Sequence, residues 1–116
     1  MNTRKKNPGV YLQDILTAIE RIGEHTAEGK QFFINDGKTQ DAVIRQLSVI
    51  GEASAKLPAA LKAAHSSIPW KKVIGMRNII VHDYSETDIP TIWNTVERDL
   101  PILRRTVEEM LQETRT

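Results

Sequence analysis

Three apolar stripes at helical spacing constrain the fold of this chain more than any other feature. Leu12, Ile15, Leu16, Ile19 and Ile22 recur at steps of three and four, and Val43, Leu47, Ile50, Ser54 and Leu57 do the same. Ile92, Val96, Leu100, Leu103, Val107 and Met110 or Leu111 carry a last stripe. It lies in a helix predicted from Asp88 over about six turns. Each stripe covers one side of a helix only, so the helices must bury those sides against one another. No strand-like alternation competes with these patterns, and the chain shows no repeat or low-complexity tract. The predicted fold is all-α: an antiparallel helical bundle of four principal helices plus short helical segments.

Turn and cap residues divide the stripes. Pro8 suits the first turn of the first helix, where a missing N–H costs little. Gly29 and the stretch Ile34-Asn35-Asp36-Gly37 are rich in turn formers, and Phe32 and Phe33 between them fit a short helix tucked against the core. Thr39 is the expected N-cap of the second long helix, with Asp41 in its first turn, and Leu57-Pro58 marks its end. Ala59 to His65 adds a short helical piece. Ser67-Ile68-Pro69-Trp70 then begins a third helix, expected to contain Arg77 to Tyr84. In the last helix Pro90 belongs to the first turn, and Pro101 removes a hydrogen bond to Glu97, which predicts a kink.

The 116 residues fit one domain, residues 1–116, with a flexible basic N-terminus over 1–7 that carries Arg4, Lys5 and Lys6. Sixteen Lys+Arg against fifteen Asp+Glu leave a net charge of +1, which excludes a dedicated nucleic-acid coat. Any nucleic-acid contact must therefore be local or arise on assembly. The chain has no cysteine, hence neither disulfides nor thiolate chemistry. With no apolar run long enough for a signal peptide or a bilayer span, a soluble cytoplasmic protein without membrane contact is expected.

One octet proposes chemistry: Arg77-Asn78-Ile79-Ile80-Val81-His82-Asp83-Tyr84. Arginine offers a fixed fork of donors suited to phosphate, and histidine, with an unperturbed pKa of roughly 6.5, transfers protons in either direction near neutrality. Asn78 adds a donor and an acceptor, and Tyr84 a hydroxyl. On a continuous helix Arg77 and His82 would stand about 140° apart. Either the helix ends near Val81 to Asp83, where a β-branched run and an aspartate lower helix propensity, or the site joins side chains from two chains. A purely structural alternative has His82 capping a helix C-terminus while Arg77 and Asp83 make surface contacts.

The wider string Ile68-Pro69-Trp70-Lys71-Lys72-Val73-Ile74-Gly75-Met76 followed by the octet resembles the signature of HEPN-domain proteins of the HepT type, the toxins of HEPN/MNT toxin–antitoxin pairs. Their motif is Arg, four residues, His, one residue, Tyr. Arg45, Ile50-Gly51-Glu52-Ala53, Leu57-Pro58 and Leu100-Pro101 extend the resemblance over nearly the whole chain. It implies a metal-independent endoribonuclease with its site at a homodimer interface, no cofactor, Arg77 and His82 as catalytic pair, and Asn78 and Tyr84 in support. It further implies that an MNT-type nucleotidyltransferase antitoxin attaches AMP to Tyr84 and so blocks RNA by charge and bulk. A rival expectation is a non-catalytic helical module that binds a nucleotide or a partner and is only a substrate of that transferase.

Other candidates are weaker. Glu52 suits a structural ion pair with Arg45 or Arg77 better than catalysis. Lys71 and Lys72 read as a solvated pair that could form an electrostatic rim for phosphates. Gly37-Lys38-Thr39 lacks the earlier glycine of a phosphate loop, because Phe32 stands in its place. His25, His65 and His82 have no metal-ligand spacing, so no metal site is expected. Trp70 and Trp93 each begin an apolar stripe, which assigns them to core or dimer contact rather than to base stacking.

Overall fold

The computed structural model describes residues 7–79 and 88–115. Residues 1–6, nearly all of the expected basic N-terminus, lie outside them, as do 80–87 and 116. Helix α1 (Pro8–His25) begins as its sequence requires. Pro8 occupies the first turn, and the Asn7 side chain accepts from the Gly9 amide at 2.7 Å. Leu12, Ile15, Ala18, Ile19 and Ile22 form its buried face. Gly29, with φ of 91°, makes the turn into α2 (Lys30–Asn35) in a conformation open to glycine. There Phe33 is fully buried and meets the Trp93 ring at 5.4 Å between centroids, inclined by 40°, whereas Phe32 is exposed.

Helix α3 (Gly37–Ala55) starts earlier than its expected cap. Asp36, not Thr39, is the N-cap, and its carboxylate accepts from the Thr39 amide at 3.0 Å and the Thr39 hydroxyl at 2.6 Å. Thr39 instead supplies donors from the third helical position. Those two bonds, the hydroxyl's first, hold the Asp36 carboxyl below its ordinary pKa of 3.8, against a small opposing effect of burial. The Gln40 side chain donates to the Phe33 carbonyl at 2.9 Å and ties α2 to α3.

After Pro58, α4 (Ala59–Ala63) is a single turn whose Lys62 ammonium donates to the Ser54 carbonyl at 3.2 Å. The connection onward is pinned twice. The Trp70 indole donates to the His65 carbonyl at 3.0 Å, and the His65 ring lies 2.9 Å from the Glu113 carboxylate near the C-terminal end of the described chain. Where the sequence predicts a third principal helix containing Arg77 to Tyr84, the described chain forms only the six-residue α5 (Trp70–Gly75), which tightens into a 3₁₀ turn over Met76–Asn78.

The last helix combines α6 (Ile89–Asn94), a π-helical turn (Thr95–Asp99) and α7 (Leu100–Arg115). Pro101 explains the wide turn. It offers no N–H to Glu97, and its ring would press on that carbonyl, so the Leu100 amide bonds back to Thr95 instead. The stripe asks for the same thing, since the two four-residue steps Ile92 to Val96 to Leu100 drift by about 80° on a regular helix. A wider turn takes up that drift and keeps Ile92 and Leu100 both buried.

Helix α3 packs against α1, α5 and the 3₁₀ turn, and α1 packs against α7. Leu12, Ile15, Ile22, Phe33, Val43, Ile44, Leu47, Ile50, Val107 and Met110 are among the fully buried side chains of one apolar cluster. Each large aliphatic group contributes on the order of 1.5–3 kcal/mol by leaving water. The fold is the all-α bundle that the stripes predict, with no strand among the described residues. Both tryptophans belong to the buried cluster rather than to an exposed stacking platform.

Candidate functional site

Arg77 and Asn78 stand at a helix end rather than within a helix. Trp70 and Val73 bury one side of α5 against the bundle, leaving Lys71 and Lys72 exposed. Gly75 weakens the helical path, and Met76 to Asn78 continue it only as a tighter 3₁₀ turn. The Ile79 amide bonds to the Met76 carbonyl at 3.3 Å, and Ile79 itself is extended, with φ −68° and ψ 120°. The chain thus leaves helical geometry before Ile80, earlier than the expected end near Val81 to Asp83. The angle of about 140° between Arg77 and His82 presupposed one continuous helix, and that premise fails.

Both Arg77 and Asn78 are exposed. The Arg77 backbone lies against α3 at Gly51, where a Cβ atom would fall onto the Arg77 amide nitrogen. That Cβ would also stand 2.9 Å from the Ile74 carbonyl oxygen and 3.1 Å from the Arg77 Cα. His82 and Tyr84, the proposed proton-transfer and AMP-acceptor groups, lie outside the described residues, as does Asp83. What the fold brings together at this end is therefore Arg77, Asn78, the exposed lysines of α5 and the C-terminal part of α3 around Gly51.

Other sequence candidates resolve as follows. Glu52 forms an ion pair, but with Lys56 at 3.8 Å rather than with Arg45 or Arg77. The i, i+4 geometry on α3 explains that choice, and more than half of each side chain is exposed, so the pair contributes little to stability. Arg45 is exposed on the same helix. Lys72 also edges a cleft of about 240 Å³ between α5 and the last helix, walled by Ile68, Val73, Met76, Leu100 and Ile102. Its lining is mainly apolar, and Met76 joins it to the turn that bears Arg77. The role of Gly51 was hidden in the sequence. A glycine well inside a 19-residue helix was the available signal, because alanine there would be favoured by about 1 kcal/mol unless space forbids it.

Chemically, an exposed arginine on a short turn, with lysines one to two turns before it, suits an anionic substrate such as a phosphodiester. No helix among the described residues is long and apolar enough to cross a membrane.

Comparison with known proteins agrees with that chemistry. The model of the family described as "Ribonuclease HepT-like" matches residues 15–110, which includes the whole octet. A protein of Thermococcus cleftensis named "Probable ribonuclease HepT" is 42% identical over 107 residues, covering 91% of this chain and 97% of that one. A protein of Caldanaerobacter subterraneus subsp. tengcongensis named "Putative RNase" is 37% identical over 109 residues, covering 92% and 96%. No solved structure matches significantly.

Proposed function

We propose, from the premise that this chain belongs to the HepT-like ribonuclease family and is an RNA-cleaving nuclease, that it is the toxin of a toxin–antitoxin pair with its active site in the Arg77 to Tyr84 motif. The observation that carries this reading is the family match over residues 15–110, a span within which positions 77–84 lie. The position of Arg77 supports it. A guanidinium on an exposed turn at a helix end is free of the helical spacing that would hold it away from His82.

The proposed reaction needs no metal. One imidazole takes the proton of a ribose 2′-hydroxyl, the 2′-oxygen bonds to phosphorus, and the bond from phosphorus to the 5′-oxygen breaks as that oxygen receives a proton. His82 is assigned to proton transfer. Arg77 is assigned to the charge that builds on the phosphoryl oxygens, where a fixed donor is worth most. Asn78 orients the phosphate or His82. A homodimer with paired motifs allows the acid and the base to come from different chains, while Lys71 and Lys72 form a rim that draws in RNA. Tyr84 is the proposed AMP acceptor of a cognate MNT-type nucleotidyltransferase. Its adenylylation would add a phosphate charge beside the cationic site and exclude RNA. Both partners are assigned to the cytoplasm.

The test is RNA cleavage by purified protein in EDTA. Arg77→Ala and His82→Ala are each expected to lower kcat by about 100-fold or more, with helical circular dichroism unchanged. Full cleavage by either variant removes that residue from the mechanism. Co-expression with the transferase should add the mass of one AMP to the wild type and none to Tyr84→Phe.

A further inference from the structure

We infer that Gly51 is a positioning residue for Arg77, its missing side chain being the seat on which the Arg77 backbone rests. This rests on the reading of Arg77 as a catalytic group. A glycine inside α3 weakens the helix, so its presence calls for a packing reason. The reason is specific in space. A Cβ at Gly51 would collide with the amide nitrogen of Arg77 and crowd the Ile74 carbonyl oxygen at 2.9 Å. These are main-chain atoms, which cannot turn away as a flexible side chain would. By contrast, a Cβ at Gly23 or at Gly75 would meet nothing within 4 Å. The close approach is therefore confined, among these helical glycines, to the point where α3 touches the turn bearing Arg77.

Arginine's grip on a phosphate depends on a planar fork whose reach is set by where its Cα stands. Lifting the turn off α3 displaces that starting point, and a misplacement of about 1 Å at a reacting centre can cost on the order of 100-fold in rate. Gly51 touches no substrate in this scheme. It acts through Arg77, by leaving the space that a Cβ would take from the Arg77 backbone.

A double-mutant cycle separates this role from a general packing role. The variants are Gly51→Ala, Arg77→Ala and their combination, all on a Gly23→Ala background. That background adds a methyl where there is room, which stabilises α1 and offsets part of the cost at Gly51, and helical circular dichroism establishes that each variant is folded before its rate is compared. Gly51→Ala is expected to lower kcat for RNA cleavage about 10–100-fold with a smaller change in KM, and to shift the backbone amide resonance of Arg77. In the Arg77→Ala background it should cost nothing further. An equal proportional loss in both backgrounds, an unmoved Arg77 resonance, or wild-type kcat in Gly51→Ala overturns the inference while the reading of Arg77 stands. Wild-type cleavage by Arg77→Ala would overturn both, which makes the two failures distinguishable.

Discussion

Two departures from regular helix, the 3₁₀ turn at Met76–Asn78 and the π turn at Thr95–Asp99, differ in direction and in cause. The π turn widens the last helix for a local reason, the proline two residues beyond it and a stripe with two successive four-residue steps. The 3₁₀ turn narrows the end of α5 where it presses on Gly51, a residue 26 positions earlier in the sequence. One departure keeps a buried face in register; the other carries the exposed Arg77 and Asn78. The lesson is that a distortion in the bundle's own seam serves packing, while a distortion at its end, packed on a distant glycine, sets the backbone of the arginine proposed for the site.

The largest expected effect on stability tests whether the last helix is purely structural. Leu103→Ala, one turn past Leu100 and buried, should cost about 2–5 kcal/mol and lower Tm clearly in a thermal melt. The cleavage rate per folded molecule should survive. A selective loss of rate at full folding would place function in the seam and break the comparison.

Pro101→Ala sharpens the same contrast with a smaller effect. The regained helical N–H is worth about 0.5–1.5 kcal/mol, and the freer unfolded chain gives back about 0.4–1 kcal/mol, so the two nearly cancel. Tm should move little and the rate not at all. A fall in kcat like that expected for Gly51→Ala would show that the two departures are coupled.

The smallest effect concerns the cap that starts α3. Because the Asp36 carboxyl titrates below 3.8 when folded, its contribution is present above that pH and fades as pH falls through the folded value. Asp36→Ala should therefore lower Tm modestly at neutral pH, and the gap from the wild type should close as the pH falls below 3.8. A gap that persists unchanged in acid would mean the carboxylate is not the cap.

Much of this was readable from the chain. The stripes of Leu12 to Ile22 and Val43 to Leu57 name the faces that α1 and α3 bury, because 3.6-residue periodicity is a property of local sequence. Pro8 and Pro101 act on their own neighbours, so the first turn of α1 and the missing bond to Glu97 were equally legible, whereas the π turn that answers that missing bond was not. The N-cap was misplaced by three residues, since Thr39 and Asp36 are both good caps and the choice rests on which oxygen reaches which amide in the folded turn. Glu52 found Lys56 rather than an arginine for the same reason, proximity on a formed helix.

The motif shows the division most clearly. Sequence by itself determined an all-helical chain, the family, and the residue types at 77, 78, 82 and 84, because spacing and chemical identity are written in one dimension. Only the tertiary structure decided that α5 stops at Gly75, that Arg77 rides on a 3₁₀ turn, and that Gly51 receives its backbone. The physical reason is that a close approach of two main chains depends on excluded volume between residues far apart in sequence, which no local pattern records.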